Sequence, residues 1–188
     1  MSISKQGIVT SSGKVNPNLL CGSHITLTQT TDGSSYLTYT VPDLSQIVNG
    51  AKLVISVDIE VYNVASMSRI GAEPSFYTSG GTQWIGVWTS DITNRKQRIF
   101  STYTMSGDAT GLGQNGIYIQ GITFNTGGYI KLSNPKLEVS TVPTPWVPNV
   151  NDDIYDADLG GFFETSNPIS ANTSIAKNYI TANQFYEL

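Results

Sequence analysis

Between Ala51 and Tyr62 the chain alternates: Leu53, Ile55, Val57, Ile59 and Val61 fall on one side, Val54, Ser56, Asp58, Glu60 and Tyr62 on the other. A period of two predicts a β-strand with one face buried and the other mostly wet. Shorter β-prone runs follow the same logic at Ile25 to Thr30, Ser35 to Val41, Gln83 to Thr89, Gln97 to Met105, Gly116 to Phe124, Tyr129 to Leu132 and Lys136 to Ser140. Turn-forming residues separate them. Thr31-Asp32-Gly33-Ser34 is a hairpin signal, and Ser79-Gly80-Gly81, Ser106-Gly107-Asp108 and Asn125 to Gly128 supply further turns. Only Leu44 to Asn49 and Val64 to Ile70 read as short helices. Strands at this spacing, without helices of useful length between them, predict an all-β protein. The expected core is an antiparallel β-sandwich or jelly roll over roughly Asn16 to Val147.

The pattern changes on both sides of that core. Val142-Pro143-Thr144-Pro145-Trp146-Val147-Pro148-Asn149 must be extended, since each Pro fixes its own φ and restrains the residue before it. It reads as a stiff exit strap, with Trp146 pinned against the sandwich. Beyond it, Asp152, Asp153, Asp156, Asp158 and Glu164 gather with no Lys or Arg between Asn151 and Glu164, and Thr165 to Thr173 is rich in Ser, Asn and Pro. Both stretches read as a hydrated linker. The two ends of the chain resemble each other: Ser2-Ile3-Ser4-Lys5-Gln6-Gly7-Ile8-Val9-Thr10 reads onto Ser174-Ile175-Ala176-Lys177-Asn178-Tyr179-Ile180-Thr181-Ala182. The expected organisation is therefore an N-terminal β-repeat at 1–15, the jelly roll at 16–150, an acidic and polar linker at 151–173 and a C-terminal β-repeat at 174–188. Neither repeat has enough apolar surface to fold alone, so apolar tips such as Ile3, Ile8, Ile180, Phe185 and Tyr186 point to a homo-oligomer, with a trimer favoured.

Composition narrows the function classes. Of 188 residues only 13% are charged, which suits a β-rich surface finished with hydroxyls and amides. The net charge of −4 gives no electrostatic reason to expect nucleic acid as a partner. No apolar run is long enough to insert into a membrane, and no basic segment followed by an apolar one marks a secretory signal. Cys21 is the single cysteine and reads as a small packing residue.

Motifs at the two ends of the predicted sandwich carry a resemblance. Asn18-Leu19-Leu20 opens the domain. Asn134-Pro135-Lys136-Leu137-Glu138 and Thr144-Pro145-Trp146-Val147-Pro148 close it. Together they resemble the carbohydrate-binding-module-like jelly rolls of bacteriophage tail, baseplate and head-fibre proteins, over roughly Asn16 to Asp153. The Ile-x-Lys units at the chain ends also look like short repeats of phage structural proteins. Val139-Ser140 departs from the pattern, where relatives often place Lys or Glu and Gly. The resemblance implies a virion structural protein, made in the bacterial cytoplasm, whose partners are other copies of itself, other virion proteins and a host surface polysaccharide. It also implies a structural calcium, with Glu138 as ligand. The alternative it leaves open is a carbohydrate-binding module of a non-virion glycan-active system; a simple sugar module would need neither terminal unit.

Sugar sites use aromatic faces ringed by amides and carboxylates. Trp84 and Trp88 lie four apart, so within one strand they would share a face with Gly86 leaving a flat gap between them. Phe76, Tyr77 and Tyr103 are candidates for the same surface, with Asn94, Arg95 and Gln114 as polar partners. Two readings stay open: tryptophans half-buried between sheets, or an outward pair if Ile85 and Val87 face the core. Catalysis has little support. His24 stands apart from any nucleophile arrangement, and no nucleophile elbow, phosphate-cradling loop or Cys/His metal spacing is present. Asp58 and Glu60 sit two apart on one strand face, and two carboxylates can do glycosidase chemistry, but the pair reads better as a solvated face. The run from Asp152 to Asp158 lacks the spacing and Gly of an EF-hand loop and reads as hydrated linker.

Overall fold

The computed structural model describes residues 16–156 and 161–164, with side chains described through Asp152. The terminal repeats at 1–15 and 174–188 lie outside the described residues. Twelve strands are present and no helix is found among the described residues. They are β1 (Leu27–Gln29), β2 (Gly33–Thr38), β3 (Lys52–Ser66), β4 (Arg69–Ala72), β5 (Ser75–Thr78), β6 (Gly81–Trp84), β7 (Val87–Thr89), β8 (Arg95–Thr104), β9 (Ala109–Leu112), β10 (Gly116–Val139), β11 (Asp153–Asp156) and β12 (Gly161–Glu164).

The fold is an antiparallel β-sandwich built around one long strand. The first half of β10 lies between β2 and β4, and β7 pairs on the far side of β4. Its second half lies between β1 and β3, and β8 pairs on the far side of β3. A smaller sheet runs in the order β6-β5-β9. The alternation of β3 survives intact: Leu53, Ile55 and Val57 are 0% exposed and Ile59 and Val61 1%. They pack with Ile70, Phe76, Ile85, Ile117, Ile119, Ile130, Leu132 and Leu137 in one core.

Three features differ from the sequence expectation. The two candidate helices are not formed. Val64 and its neighbours extend β3 to Ser66, and Arg69 and Ile70 begin β4, because that segment gains ladder partners on β7 and β10. Leu44 to Asn49 folds as turns, with backbone bonds from Ile47 N to Leu44 O and from Ala51 N to Val48 O, both 2.9 Å, while the Ile47 side chain plugs the core. Finally, the run from Gln83 to Thr89 is two strands in different sheets, and 116–139 is one strand rather than three. Wide bulges absorb the extra residues in β10, one of them between Phe124 and Tyr129.

The motifs at the domain ends meet in space and close the sandwich. The Asn18 amide is fully used: Oδ1 accepts from Leu20 N (3.0 Å) and Leu137 N (3.2 Å), and Nδ2 donates to Ser23 Oγ (2.8 Å) and the Pro135 carbonyl (3.1 Å). The strap is tied to the same place, with Trp146 Nε1 donating to Ser23 Oγ and Asn149 Nδ2 to the Asn18 carbonyl. Asp152 completes the closure. It is 3% exposed and accepts from Gly22 N at 2.6 Å and Asn149 N at 3.0 Å. The acidic run therefore begins inside the domain, at Asp152, rather than as wet linker. Beside it, burial and then the Asp152 carboxylate push the Cys21 thiol up, away from reactive thiolate. Further along the segment read as linker, β11 and β12 pair as an antiparallel ribbon.

Candidate functional site

Strand pairing brings an aromatic row together on one outer face. Tyr36 on β2 is opposite Tyr118 on β10, Tyr118 is opposite Gly71 on β4, and Gly71 is opposite Trp88 on β7. Directly paired residues point to the same side. The alternate positions Ile117, Ala72 and Val87 point inward and are buried. Four strands at ~4.8 Å spacing make this row about 14 Å long. Tyr36, Trp84 and Trp88 are 77%, 49% and 50% exposed, a large unburied aromatic area for a domain this size. Ile85 and Val87 face the core, so the outward alternative for the tryptophan pair is the one realised.

A groove of about 470 Å³ lies along this face, lined by Ser34, Ser35, Tyr36, Arg69, Glu73, Trp84, Gln114, Tyr118 and Gln120, with Ile119 at its floor. Arg69 runs through it. Its guanidinium carbon sits 4.8 Å from the Tyr118 ring centre and 5.6 Å from that of Trp88, its Nε donates to Gln120 Oε1 at 2.8 Å, and its Nη2 is 3.5 Å from Glu73 Oε2. Tyr118 is sunk into the floor. Burial, with the Glu73 carboxylate as the next cause, pushes its phenol up to about 12, so it is a neutral hydroxyl at any physiological pH. That hydroxyl is buried and has no hydrogen-bond partner among the described residues.

Two glycines set the row. A Cβ on Gly71 would stand 2.0 Å from the Val87 carbonyl oxygen, so only Gly lets β7 approach β4 this closely. The gap it leaves between Tyr118 and Trp88 is spanned by the Arg69 guanidinium. Gly86 does not leave an open gap between the tryptophans: a Cβ there would meet the Trp88 ring at 2.8 Å, because that ring lies back over Gly86. Tyr103 fixes the same peptide from the other side by donating its hydroxyl to the Gly86 carbonyl at 2.6 Å. Gly71→Ala is expected to force β7 outward, lowering stability by about 1–3 kcal/mol, the usual cost of overpacking, and displacing Trp88. Thermal melting together with tryptophan emission checks both.

The other sequence candidates fall elsewhere. Tyr77 is 52% exposed on β5 of the small sheet, against Gly111, and does not line the groove. Phe76 is fully buried and belongs to the core, not to the surface. Asn94 and Arg95 organise the loop between β7 and β8: Asn94 Oδ1 accepts from Asn63 N at 2.7 Å, and Arg95 pairs with Asp91 at 2.7 Å and donates to the Thr93 carbonyl and Thr89 Oγ1. Gln114, by contrast, is in the groove. Tyr36, Arg69, Glu73, Tyr118 and Gln120 were not singled out by sequence. The alternation around Ile117 and Ile119 already implied that Tyr118 and Gln120 face outward; what they face depends on strand pairing.

Glu138 is 0% exposed beneath the strap. Its oxygens accept from Thr144 N at 2.7 Å and Thr144 Oγ1 at 2.6 Å, and the Lys136 ammonium lies 3.4 Å away. Its charge is met by a built-in cation, and among the described residues no cluster of three or more His, Cys, Asp or Glu side chains gathers around a point where a metal would sit. Asp58 and Glu60 are likewise partnered, Asp58 by Arg98 and Asn134, Glu60 by Tyr129 and Lys96. The Tyr129 hydroxyl bond lowers the Glu60 pKa, whereas a glycosidase acid must be held protonated. His24 is half-exposed, with Nδ1 3.9 Å from Asp152.

No protein-family model and no curated protein matches the sequence. Solved structures do show similarity. The chain is 20% identical to a chain of the tripod (BppUct-A-L) from the baseplate of bacteriophage Tuc2009, with a TM-score of 0.45 over 71% of this chain and 59% of that one, so it spans less than two thirds of that relative. It is 7% identical to a family 16 carbohydrate-binding module, with a TM-score of 0.43 over 65% of this chain and 85% of the module. It is 11% identical to the C-terminal family 22 carbohydrate-binding module of a Clostridium thermocellum protein, with a TM-score of 0.36 over 65% and 88%. The solved structures similar to this chain thus include a phage baseplate protein and carbohydrate-binding modules, the two groups that its sequence motifs resemble.

Proposed function

We propose that this chain is a phage virion structural protein whose sandwich domain contacts a host surface glycan through the groove lined by Tyr36, Tyr118 and Trp84 and through the adjoining Trp88 ring, which meets the groove at Arg69. The observation that carries the glycan reading is the row held in register across four strands, with Tyr36 and Trp88 exposed at its ends and Tyr118 at its floor, and with amides, hydroxyls and one ion pair beside it. A pyranose offers an apolar face to such rings and hydroxyls to such polar groups. The virion reading is supported by the end motifs and by the paired terminal repeats in the sequence. The test is titration of the chain with isolated host cell-surface polysaccharide. Saturable binding that Tyr36→Ala weakens is expected; no saturable binding, or binding indifferent to Tyr36→Ala, overturns the reading.

The assembly part of the proposal is a homotrimer joined through the terminal repeats. Removing residues 174–188 is expected to leave the melting transition of the sandwich in place, because the domain is already closed at Asp152, and to abolish self-association. Light scattering and calorimetry on the truncated and full chains check it. A full chain that stays monomeric at micromolar concentration removes the trimer from the proposal.

A further inference from the structure

The polar lining of the groove contains one cation and one anion, set side by side. Arg69 and Glu73 approach to 3.5 Å, while Ser34, Ser35, Gln114 and Gln120 are neutral. Among the described residues the Nε of Arg69 donates to Gln120 Oε1, and its Nη groups make no hydrogen bond besides the long 3.5 Å ion-pair contact with Glu73. Glu73 is held in the same way: its side chain is 17% exposed, and among the described residues its oxygens accept nothing besides the 3.5 Å ion-pair contact with Arg69. The site thus holds a loosely paired cation and anion whose donors and acceptor can also reach a ligand in a half-enclosed space.

This arrangement discriminates by charge. A hydroxyl both donates and accepts, so neighbouring hydroxyls on one sugar ring take bonds from Arg69 and give them to Glu73 at the same time. A carboxylate or phosphate only accepts. It gains from Arg69 but must sit within a few ångströms of Glu73, where the like-charge repulsion is of the same size as the attraction and is least screened by water. The chain's net charge of −4 adds repulsion at longer range. We propose that Glu73 is the charge filter of the groove: it restricts the ligand to uncharged glycans and turns away polymers carrying an acidic group on each repeat. The proposal rests on the groove being a glycan site, and it adds which chemical class of glycan enters.

The experiment titrates the full chain, Glu73→Gln and Glu73→Asp with neutral hexasaccharides of glucose, mannose, galactose and xylose, and with hexagalacturonate. At least one neutral probe is expected to bind the unaltered chain, with a dissociation constant that changes less than about twofold between low and high salt, because no net charge is matched. Hexagalacturonate is expected to bind at least about tenfold more weakly than that probe, and Glu73→Gln to recover about tenfold of it by removing one close like charge. Glu73→Asp keeps the charge and is expected to keep the exclusion. Glu73→Ala is a second charge-removing variant with the same expected gain, should the Gln variant fail to fold. Hexagalacturonate bound by the unaltered chain and lost in Trp88→Ala overturns the filter while leaving the groove as a glycan site. So does a neutral probe that binds while neither charge-removing variant admits hexagalacturonate. Binding of no probe, together with none of isolated host polysaccharide, overturns the groove reading and the filter with it.

Discussion

Replacing Lys136 by Met is expected to destabilise the domain by about 3–5 kcal/mol, the range seen when one member of a buried ion pair is removed. Lys136 and Glu138 are both 0% exposed, 3.4 Å apart under the exit strap. Lys136 also donates to the Thr144 hydroxyl and to the Pro145 carbonyl, while Glu138 accepts from the Thr144 amide and hydroxyl. Desolvation is the main influence on Lys136 and lowers its pKa, with the Glu138 charge working against it. Removing the ammonium leaves a buried carboxylate without its cation and frees the strap at Thr144. The double replacement Lys136→Met with Glu138→Leu removes both charges, and its cost is expected to be well below that of Lys136→Met alone. Urea unfolding of the set gives the comparison, provided the slope with denaturant stays constant. A single-variant loss below about 1 kcal/mol, typical of a surface pair, would show that water reaches these groups and that the strap does not seal them.

Replacing Trp84 and Trp88 together by Ala is expected to weaken glycan binding by one to three decades while changing the stability little. Each ring stacked on a sugar face is worth about 1–2 kcal/mol, and each decade of affinity is about 1.4 kcal/mol. Both rings are half-exposed, so their truncation opens no core cavity; Trp88 loses its contact with Arg69, worth about 0.5–1 kcal/mol at an exposed site. Ile85→Ala is the control. Ile85 lies between the two tryptophans and is 0% exposed, so its truncation is expected to cost about 2–5 kcal/mol in stability. Measuring melting and binding in the same variants separates the roles. A large loss of stability in the double tryptophan variant would return those rings to a packing role.

The strand content and the fold class were legible because they depend on local alternation. Leu53, Ile55, Val57, Ile59 and Val61 read as inward-facing from their period of two, and the structure buries them all. The motifs at Asn18, Lys136 to Glu138 and Thr144 to Trp146 were recognisable, but their physical role was not. They form the closing network, and the carboxylate offered as a metal ligand faces a lysine instead. The segment after Val64 misled because a run of Val, Ala, Ser, Met and Ile has no decisive period. Pairing with β7 and β10 decided its conformation.

The groove shows the division most clearly. Sequence alone left Trp84 and Trp88 either half-buried between sheets or outward if Ile85 and Val87 face in, and it offered Gln114 as a polar neighbour. It could not place Tyr36, Arg69, Glu73 and Tyr118 beside them, because these residues lie up to 82 positions apart, on β2, β4 and β10 and just after β4, and the adjacency of those strands is set by ladder register. Nor could it show that Gly71 is needed for β7 to approach β4, a matter of a backbone contact between strands. The chain's alternation determined which side chains leave the core. Which of them meet was decided by the order and register of β2, β10, β4 and β7, since backbone pairing between strands distant in sequence carries no local residue signature.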